Sequence, residues 1–185
     1  GGIDLKLDLY QARGSDPTPT LIYIHGGGWT NGSKESSALT FLPYLEMGWS
    51  VVNVEYRMAD VAHAPAAVED CRCALRWVYR NAERYNFDLD RIVVTGNSAG
   101  GHLAATAGTH FDGGDAAADA AIERVGCRPD FVVLVYPVVT MGRATHGGSR
   151  NNLLGGNSSA RFVQFFSNER QVTKQTPPTF LAHAL

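Results

Sequence analysis

Two glycine-rich segments, each placed within one residue of the end of an apolar run, constrain this chain more than any other feature. The first, His25–Trp29, reads HGGGW and follows the apolar run LIYI at 21–24. The second, Gly96–His102, reads GNSAGGH and follows the run IVV at 92–94. Short apolar runs that end at glycine are typical of buried strands that lead into sharp turns. The residues after each turn have helical character, so the sequence predicts two strand–turn–helix units.

Further apolar runs predict the rest of a sheet. Continuous runs of apolar residues, rich in Val, Ile and Leu, occur at 21–24, 51–54, 92–94 and 131–136. Such runs are typical of parallel strands that helices cover on both faces. Residues 3–10 instead alternate between apolar and polar, which predicts a half-buried antiparallel strand at the start of the sheet. A last apolar strand is predicted at 179–184.

Helices are predicted between these strands. The clearest one follows Pro65, where apolar residues recur at steps of three or four. An alanine-rich helix is predicted after Ser98, and 36–47 is predicted to be helical with an interruption at Pro43. Alternating strands and helices predict one α/β domain over 1–185, with a mostly parallel, doubly wound sheet.

Two segments show no periodicity. Residues 112–130 are rich in Gly, Ala and Asp and are predicted to be a connection with one helical turn at most. Residues 140–159 contain five glycines and are predicted to be a long loop after the carboxyl end of a strand. Because ligands bind at that edge of a doubly wound sheet, we expect 140–159 to form a cap on the substrate side.

The pattern Gly96-x-Ser98-x-Gly100 predicts a reactive serine. In such an elbow the serine lies on a strained turn between strand and helix, and small flanking residues let the helix cross the strand closely. Ser98 is therefore the predicted nucleophile. The alternative is an ordinary serine that caps the start of a helix. The glycine loop upstream favours the nucleophile, because its backbone N–H groups would stabilise a developing oxyanion.

The oxyanion hole is predicted to contain three backbone donors. Gly27 and Gly28 supply two N–H groups, and Ala99, directly after Ser98, supplies the third. Glycine suits this loop because the backbone must approach a substrate carbonyl to hydrogen-bond distance. Trp29 follows the loop and is expected to narrow the cleft.

The composition excludes several functions. A net charge of −2 without a basic cluster argues against a nucleic acid or an anionic membrane as partner. No apolar run approaches the roughly 20 residues that span a bilayer. The chain opens at Gly1 with neither a starting methionine nor a signal-peptide pattern, so we expect the natural N-terminus to be absent, and the compartment of this soluble protein stays open between cytoplasmic and secreted. Its three cysteines, Cys71, Cys73 and Cys127, are predicted to be reduced, buried thiols, and no ligand spacing predicts a metal or cofactor.

Together these motifs resemble the hormone-sensitive-lipase-like branch of the α/β-hydrolases. The resemblance is greatest to bacterial bifunctional feruloyl/acetylxylan esterases. The stretches that carry it are 23–34, 51–59, 65–78, 90–105, 145–155 and 168–184. It implies an α/β-hydrolase fold and an acyl-enzyme reaction without a cofactor. The substrates it implies are short-acyl esters, or the acetyl and feruloyl esters of carbohydrates.

The resemblance also predicts where the other members of a catalytic triad belong. In the family the acid follows the strand that corresponds to 179–184, and the histidine comes one strand later. Both would lie beyond Leu185, so we expect the domain to lack its last strand and helix and 1–185 alone to be inactive. Candidates inside the chain fit poorly. His183 falls within the predicted strand. The four acids that precede strand 131–136 come too early in the order, namely Asp112, Asp115, Asp119 and Asp130.

Several other polar residues have structural explanations. By the resemblance, His25 orients the glycine loop and is not the general base. His102 lies one helical turn after Ser98, which favours a packing role. Arg57 and Asp70 are expected to form a structural ion pair. Three residues of the predicted cap would either contact substrate or order the loop, namely His146, Ser149 and Arg150.

Two other functions are compatible with the motifs. One is a non-catalytic α/β-hydrolase-like protein that binds a small ligand, although a binding protein needs neither Ser98 nor the glycine loop. The other is an amide hydrolase of the formamidase type, because ester and amide hydrolysis use the same groups.

Overall fold

A computed structural model describes residues 4–184, in which six strands form one sheet in the order β1-β3-β2-β4-β5-β6. The strands are β1 (Leu7–Tyr10), β2 (Thr18–Ile24), β3 (Ser50–Val54), β4 (Phe87–Asn97), β5 (Phe131–Val135) and β6 (Thr179–Ala182). Strand β1 pairs antiparallel with β3, and all other pairs are parallel. The predicted α/β class and the antiparallel first strand are confirmed.

Helices cover both faces of the central strands. The α-helices are α1 (Leu42–Glu46), α2 (Ala66–Arg80), α3 (Ala82–Tyr85), α4 (Ala99–Thr109), α5 (Gly147–Leu154) and α6 (Ala160–Phe165), with 3₁₀-helices at Glu35–Phe41 and Asn168–Arg170. On one face, Leu75 of α2 and Leu103 of α4 pack in a core with Ile22 of β2. On the other face, Phe41 packs with Leu21. Burial on both faces explains why these strands are continuous apolar runs.

The ends of several strands differ from the predictions. Strand β1 begins at Leu7, residues 4–6 are not in a strand, and the rest of the predicted start lies outside the described residues. Strand β5 ends at Val135, because Tyr136 has a φ of 35° that an extended strand does not allow. Strand β6 ends at Ala182, so His183 lies after the strand and not within it.

The prediction of a long loop at 140–159 is wrong, because the segment contains helix α5. The helix begins after His146, whose side chain accepts a hydrogen bond from the Ser149 N–H, and only Leu153 and Leu154 in it are buried. With two glycines at its start and one apolar pair at its end, it has no apolar stripe. The sequence of this helix therefore lacks the apolar periodicity from which a helix is predicted.

The structure also tests the predictions for Pro43, for the cysteines and for one ion pair. Pro43 lies in the first turn of α1, where a fixed φ and a missing N–H are tolerated, so it starts a helix and does not interrupt one. Cys73 is exposed, which corrects the expectation of a buried thiol. The Arg57–Asp70 ion pair is confirmed, with Nη2 2.7 Å from Oδ1.

Within residues 4–184, no helix combines the length and the apolar character needed to cross a membrane.

Candidate active site

Ser98 lies in a strained turn between β4 and α4. Its φ is 53° and its ψ is −117°, values that an L-residue rarely adopts. Glycines on either side make the turn possible. A Cβ at Gly100 would collide with the carbonyl oxygens of Ile24 and His25, and one at Gly96 would collide with the backbone of Gly100. The glycines therefore let α4 lie directly against the end of β2.

The Ser98 side chain does not cap helix α4. Ser98 occupies the N-cap position, but its hydroxyl accepts no hydrogen bond from the first turn. Its backbone is held instead, because its N–H donates to the Val135 carbonyl and its own carbonyl accepts from the Val138 N–H, each at 3.1 Å. The side chain is partly exposed. The explanation of Ser98 as an ordinary helix cap is therefore wrong.

The glycine loop after β2 turns its carbonyl groups toward hydrogen-bond donors. The Gly26 carbonyl oxygen lies 2.8 Å from His25 Nδ1, and the Gly27 carbonyl accepts from the Asn31 N–H at 2.9 Å. The Gly28 carbonyl accepts from Asn152 Nδ2 at 2.8 Å. Gly27 has a φ of 118°, and a Cβ there would collide with the backbone of Asn31, so this position requires glycine.

Three backbone N–H groups, two in the glycine loop and one at the start of α4, are left without an acceptor among the described residues. Among residues 4–184, the N–H groups of Gly27, Gly28 and Ala99 donate no hydrogen bond. For Ala99 this follows from its place in the first turn of α4, where helical N–H groups have no partner within the helix. These are the three donors that the sequence predicts for the oxyanion hole.

The buried ring of His25 contacts the glycine loop and holds it against Glu55 and Tyr56. The ring is buried, its Nε2 lies 3.0 Å from Glu55 Oε1, and it stacks on Tyr56 with centroids 4.4 Å apart. Glu55 Oε2 in turn accepts from the Lys34 backbone N–H at 3.0 Å. The ring thus contacts its own loop and Glu55, which agrees with the expected orienting role. Glu55 could not be predicted from the sequence, because nothing local links residues 30 positions apart.

His102 is a buried, neutral packing residue. It has no exposed surface, and its Nδ1 donates to the Val138 carbonyl at 2.9 Å. Burial lowers the pKa of His102 to about 4, because desolvation disfavours the charged imidazolium. The ring meets Trp29 edge-on at 5.5 Å, so it links helix α4 to the glycine loop. His102 Nε2 and Trp29 Nε1 are both buried without a partner among the described residues.

No histidine of the described residues bonds to the Ser98 hydroxyl. Besides His25 and His102, His63 contacts the Asn152 carbonyl and His110 contacts the Phe165 carbonyl. The ring of His146 is engaged with Ser149, and His183 contacts the Ala184 carbonyl.

Two of the acidic residues considered for the triad, and two polar residues of the predicted cap, can be located in the structure. Asp112 pairs with Arg76 at 2.8 Å, and Asp130 accepts from the Ile92 N–H at 2.8 Å. The Ser149 hydroxyl contacts His146 Nδ1 at the start of α5, which supports the expectation that Ser149 orders this segment. Arg150 lies on the same helix with its Nε buried and without a partner among the described residues.

A polar pocket of about 600 Å³ opens beside the elbow, on the face of the sheet opposite α4. It is lined by Gly26 and Gly27 and by a hydrogen-bonded set of side chains. Tyr23 donates its hydroxyl to Asn97 Oδ1 at 2.9 Å, and Asn97 Nδ2 donates to the Tyr136 hydroxyl at 3.0 Å. Within residues 4–184, no group of three or more His, Cys, Asp or Glu side chains is placed to hold a metal ion.

Comparisons with known proteins agree with this geometry. Residues 7–185 match the BD-FAE family. The chain is 33% identical over 168 residues to endo-1,4-beta-xylanase B of Butyrivibrio fibrisolvens, and 34% identical over 105 residues to esterase LipC of Mycobacterium tuberculosis. These alignments cover 87% and 55% of this chain and about a quarter, 26%, of each relative.

A solved structure shares nearly the whole fold. The acetyl ester-xyloside bifunctional hydrolase of Caldicellulosiruptor lactoaceticus superposes with a TM-score of 0.92 at 39% identity. The match covers 98% of this chain and 66% of that structure, so the chain spans slightly less than two thirds of its length.

Proposed function

Because the chain belongs to the BD-FAE family of α/β-hydrolases, we propose that it is a serine carboxylic-ester hydrolase that works through an acyl-enzyme at Ser98. One observation carries the proposal. Ser98 has a strained backbone and an unbonded, partly exposed hydroxyl, and among residues 4–184 the N–H groups of the next residue, Ala99, and of Gly27 and Gly28 in the glycine loop have no acceptor. Strain of this kind persists where the surroundings enforce it, and it is common at active sites.

The geometry suggests the following course of reaction. The Ser98 Oγ attacks the ester carbonyl and forms a tetrahedral intermediate. The N–H groups of Gly27, Gly28 and Ala99 hold its oxyanion, and each such donor contributes about 3 kcal/mol to lowering the barrier. Collapse breaks the bond to the alcohol, which leaves with a proton. Water then attacks the acyl-enzyme, releases the acid and returns the proton to Ser98.

The proton transfers require a base, and in this proposal the base is a histidine oriented by an aspartate. No histidine among residues 4–184 bonds to Ser98. We therefore expect residues 1–185 by themselves to turn over esters slowly. Loss of triad function costs on the order of 10⁴–10⁶ in turnover. Added imidazole should restore part of the rate, because it supplies the missing base from solution.

We propose acetyl or feruloyl esters of carbohydrates, or other short-acyl esters, as substrates. The family membership and the similarity to an acetyl ester-xyloside hydrolase support this class. Trp29 gives this class no support, because it is 1% exposed, packs edge-on against His102 and does not line the pocket beside the elbow, contrary to the expectation that it narrows the cleft. Segment 140–159, with helix α5 bonded to the glycine loop, is the proposed cap on the substrate side.

The test is hydrolysis of p-nitrophenyl acetate with and without imidazole, by the unmodified protein and by Ser98→Ala. Ser159→Ala is the matched control, because it removes a serine from the start of another helix. After subtraction of the rate with imidazole and no protein, we expect an imidazole-dependent rate that Ser98→Ala abolishes and Ser159→Ala leaves unchanged, and slower turnover of the decanoate ester. Equal rates for the unmodified protein and Ser98→Ala would refute the proposal and favour a ligand-binding protein.

A further inference from the structure

Three successive carbonyl groups of the glycine loop are bonded, and only one of these bonds comes from a distant part of the chain. The Gly26 and Gly27 carbonyls bond to residues within the same segment, namely His25, Thr30 and Asn31. The Gly28 carbonyl bonds to Asn152, which is 124 positions away in the sequence. Only the amide nitrogen of Asn152 can face a carbonyl oxygen productively, so Asn152 is the donor.

Gly28 needs an external restraint. Its φ is 63°, and a Cβ there would meet no atom closer than Asn152 Nδ2 at 3.7 Å. No neighbouring atom therefore restricts the φ and ψ of Gly28 from that side, and consecutive glycines have access to many backbone conformations. The Gly28 carbonyl belongs to the Gly28–Trp29 peptide, whereas the Gly28 N–H shares a peptide with the Gly27 carbonyl. Rotation about the φ and ψ of Gly28 would tilt these two peptides against each other and turn the Gly28 N–H away from a substrate oxygen. The hydrogen bond from Asn152 opposes that rotation.

Asn152 is itself held firmly on helix α5. Its backbone carbonyl contacts His63 Nδ1 at 2.9 Å, and the Leu153 carbonyl accepts from the Ala64 N–H at 2.7 Å. Leu153 and Leu154 are 1% and 6% exposed, so they fix the end of the helix in the core. The side chain of Asn152 therefore projects from a well-anchored backbone.

We infer that Asn152 is a positioning residue, which fixes the Gly28–Trp29 peptide and, through the φ and ψ of Gly28, holds the Gly28 N–H group in the geometry that binds the oxyanion. This inference rests on the proposed function of Ser98. Asn152 touches the loop and not the reacting atoms, so it acts through Gly28. Helix α5 is in consequence a fixed part of the site, and not a lid that opens for each substrate.

Asn152→Asp tests the inference, because aspartate has the same shape but its carboxylate cannot donate to the Gly28 carbonyl. Asn151→Asp is the matched control, since it makes the same change of charge at an exposed neighbour on the same helix. Two quantities are measured in each protein. One is hydrogen exchange at the Thr30 and Asn31 amides, which bond to the Gly27 carbonyl. The other is the Ser98-dependent kcat and KM for p-nitrophenyl acetate in imidazole.

We expect Asn152→Asp to speed exchange at these two amides about tenfold, the effect of losing one partly buried hydrogen bond. We expect kcat to fall by about tenfold to a hundredfold with KM nearly unchanged, because misplaced donors affect the transition state most. Asn151→Asp should change neither quantity.

Three results would overturn the inference: unchanged exchange in Asn152→Asp, an unchanged kcat, or a rise in KM alone, which would indicate a substrate contact. Failure of the proposed function has a different signature, since the unmodified protein and Ser98→Ala would then hydrolyse the ester equally. In that case the exchange measurement still decides whether Asn152 holds the loop.

Discussion

Two serines at helix starts in this molecule differ in almost every physical respect. Ser159 precedes α6 with an ordinary extended backbone, φ −66° and ψ 155°, and its hydroxyl accepts from the Phe162 N–H at 3.2 Å. Ser98 precedes α4 with a positive φ, and its hydroxyl bonds to nothing in the first turn. The first serine stabilises its helix, whereas the second costs backbone strain and leaves its hydroxyl free to react.

The difference arises from the neighbours and not from the serine. Around Ser98, Gly96 and Gly100 let the helix lie against β2, and this close crossing forces the tight turn. Around Ser159, no strand lies on either side, so the chain adopts the conformation that favours capping. A serine at a helix start therefore indicates a reactive hydroxyl only when small residues on both sides permit a strained turn.

Gly100→Ala should produce the largest effect, because its methyl group would fill the space in which α4 lies against β2 at the Ser98 turn. The new Cβ would collide with the backbone carbonyls of Ile24 and His25, which cannot move like a flexible side chain. We expect the free energy of unfolding to fall by about 3 kcal/mol, measured by denaturant titration. Gly113→Ala is the control, since nothing lies within 4 Å of its Cβ position. An equally small loss in both variants would contradict the packing account of the elbow.

His102→Asn should produce the next largest effect, a change in how the free energy of unfolding depends on pH. The folded-state pKa of about 4 lies below the unfolded value of 6.5, so the unfolded chain binds more protons between these pH values. The stability that His102 contributes is complete above pH 6.5 and is lost as the pH falls toward 4. This loss amounts to about 3 kcal/mol in the unmodified protein.

The variant should lose that part of the pH dependence, and unfolding titrations at pH 7 and pH 5 would show it. The exposed His183 supplies the control, because His183→Asn should keep the full dependence. The account fails if His102→Asn loses as much stability on acidification as the unmodified protein.

The smallest effect compares the two serines directly. Ser159→Ala removes a hydrogen-bonded cap and should lower the free energy of unfolding by about 1 kcal/mol. Ser98→Ala removes no cap and should change it by about 0.5 kcal/mol or less. Thermal unfolding of both variants checks the pair. A clear loss in Ser98→Ala alone would mean that the Ser98 hydroxyl stabilises the helix after all.

The local parts of this site could be predicted from sequence, and the long-range parts could not. The apolar runs predict β2 to β5, and the spacing of Gly96, Ser98 and Gly100 predicts the elbow, because each depends on neighbours in the chain. The contacts of Glu55 with His25 and of Asn152 with Gly28 join residues 30 and 124 positions apart. Nothing in either segment signals its partner. Helix α5 was missed for a related reason, since its position depends on contacts with the glycine loop and the 63–64 backbone and not on an apolar stripe.

The central claim is that Ser98 is a nucleophile, and covalent labelling tests it most directly. A fluorophosphonate forms a phosphorus–oxygen bond with an activated serine and releases fluoride. The protein is incubated with the reagent and imidazole, and its intact mass is then measured. The account predicts one adduct per chain, located at Ser98, present in Ser159→Ala and absent in Ser98→Ala. An unlabelled protein, or an adduct that persists in Ser98→Ala, would contradict it.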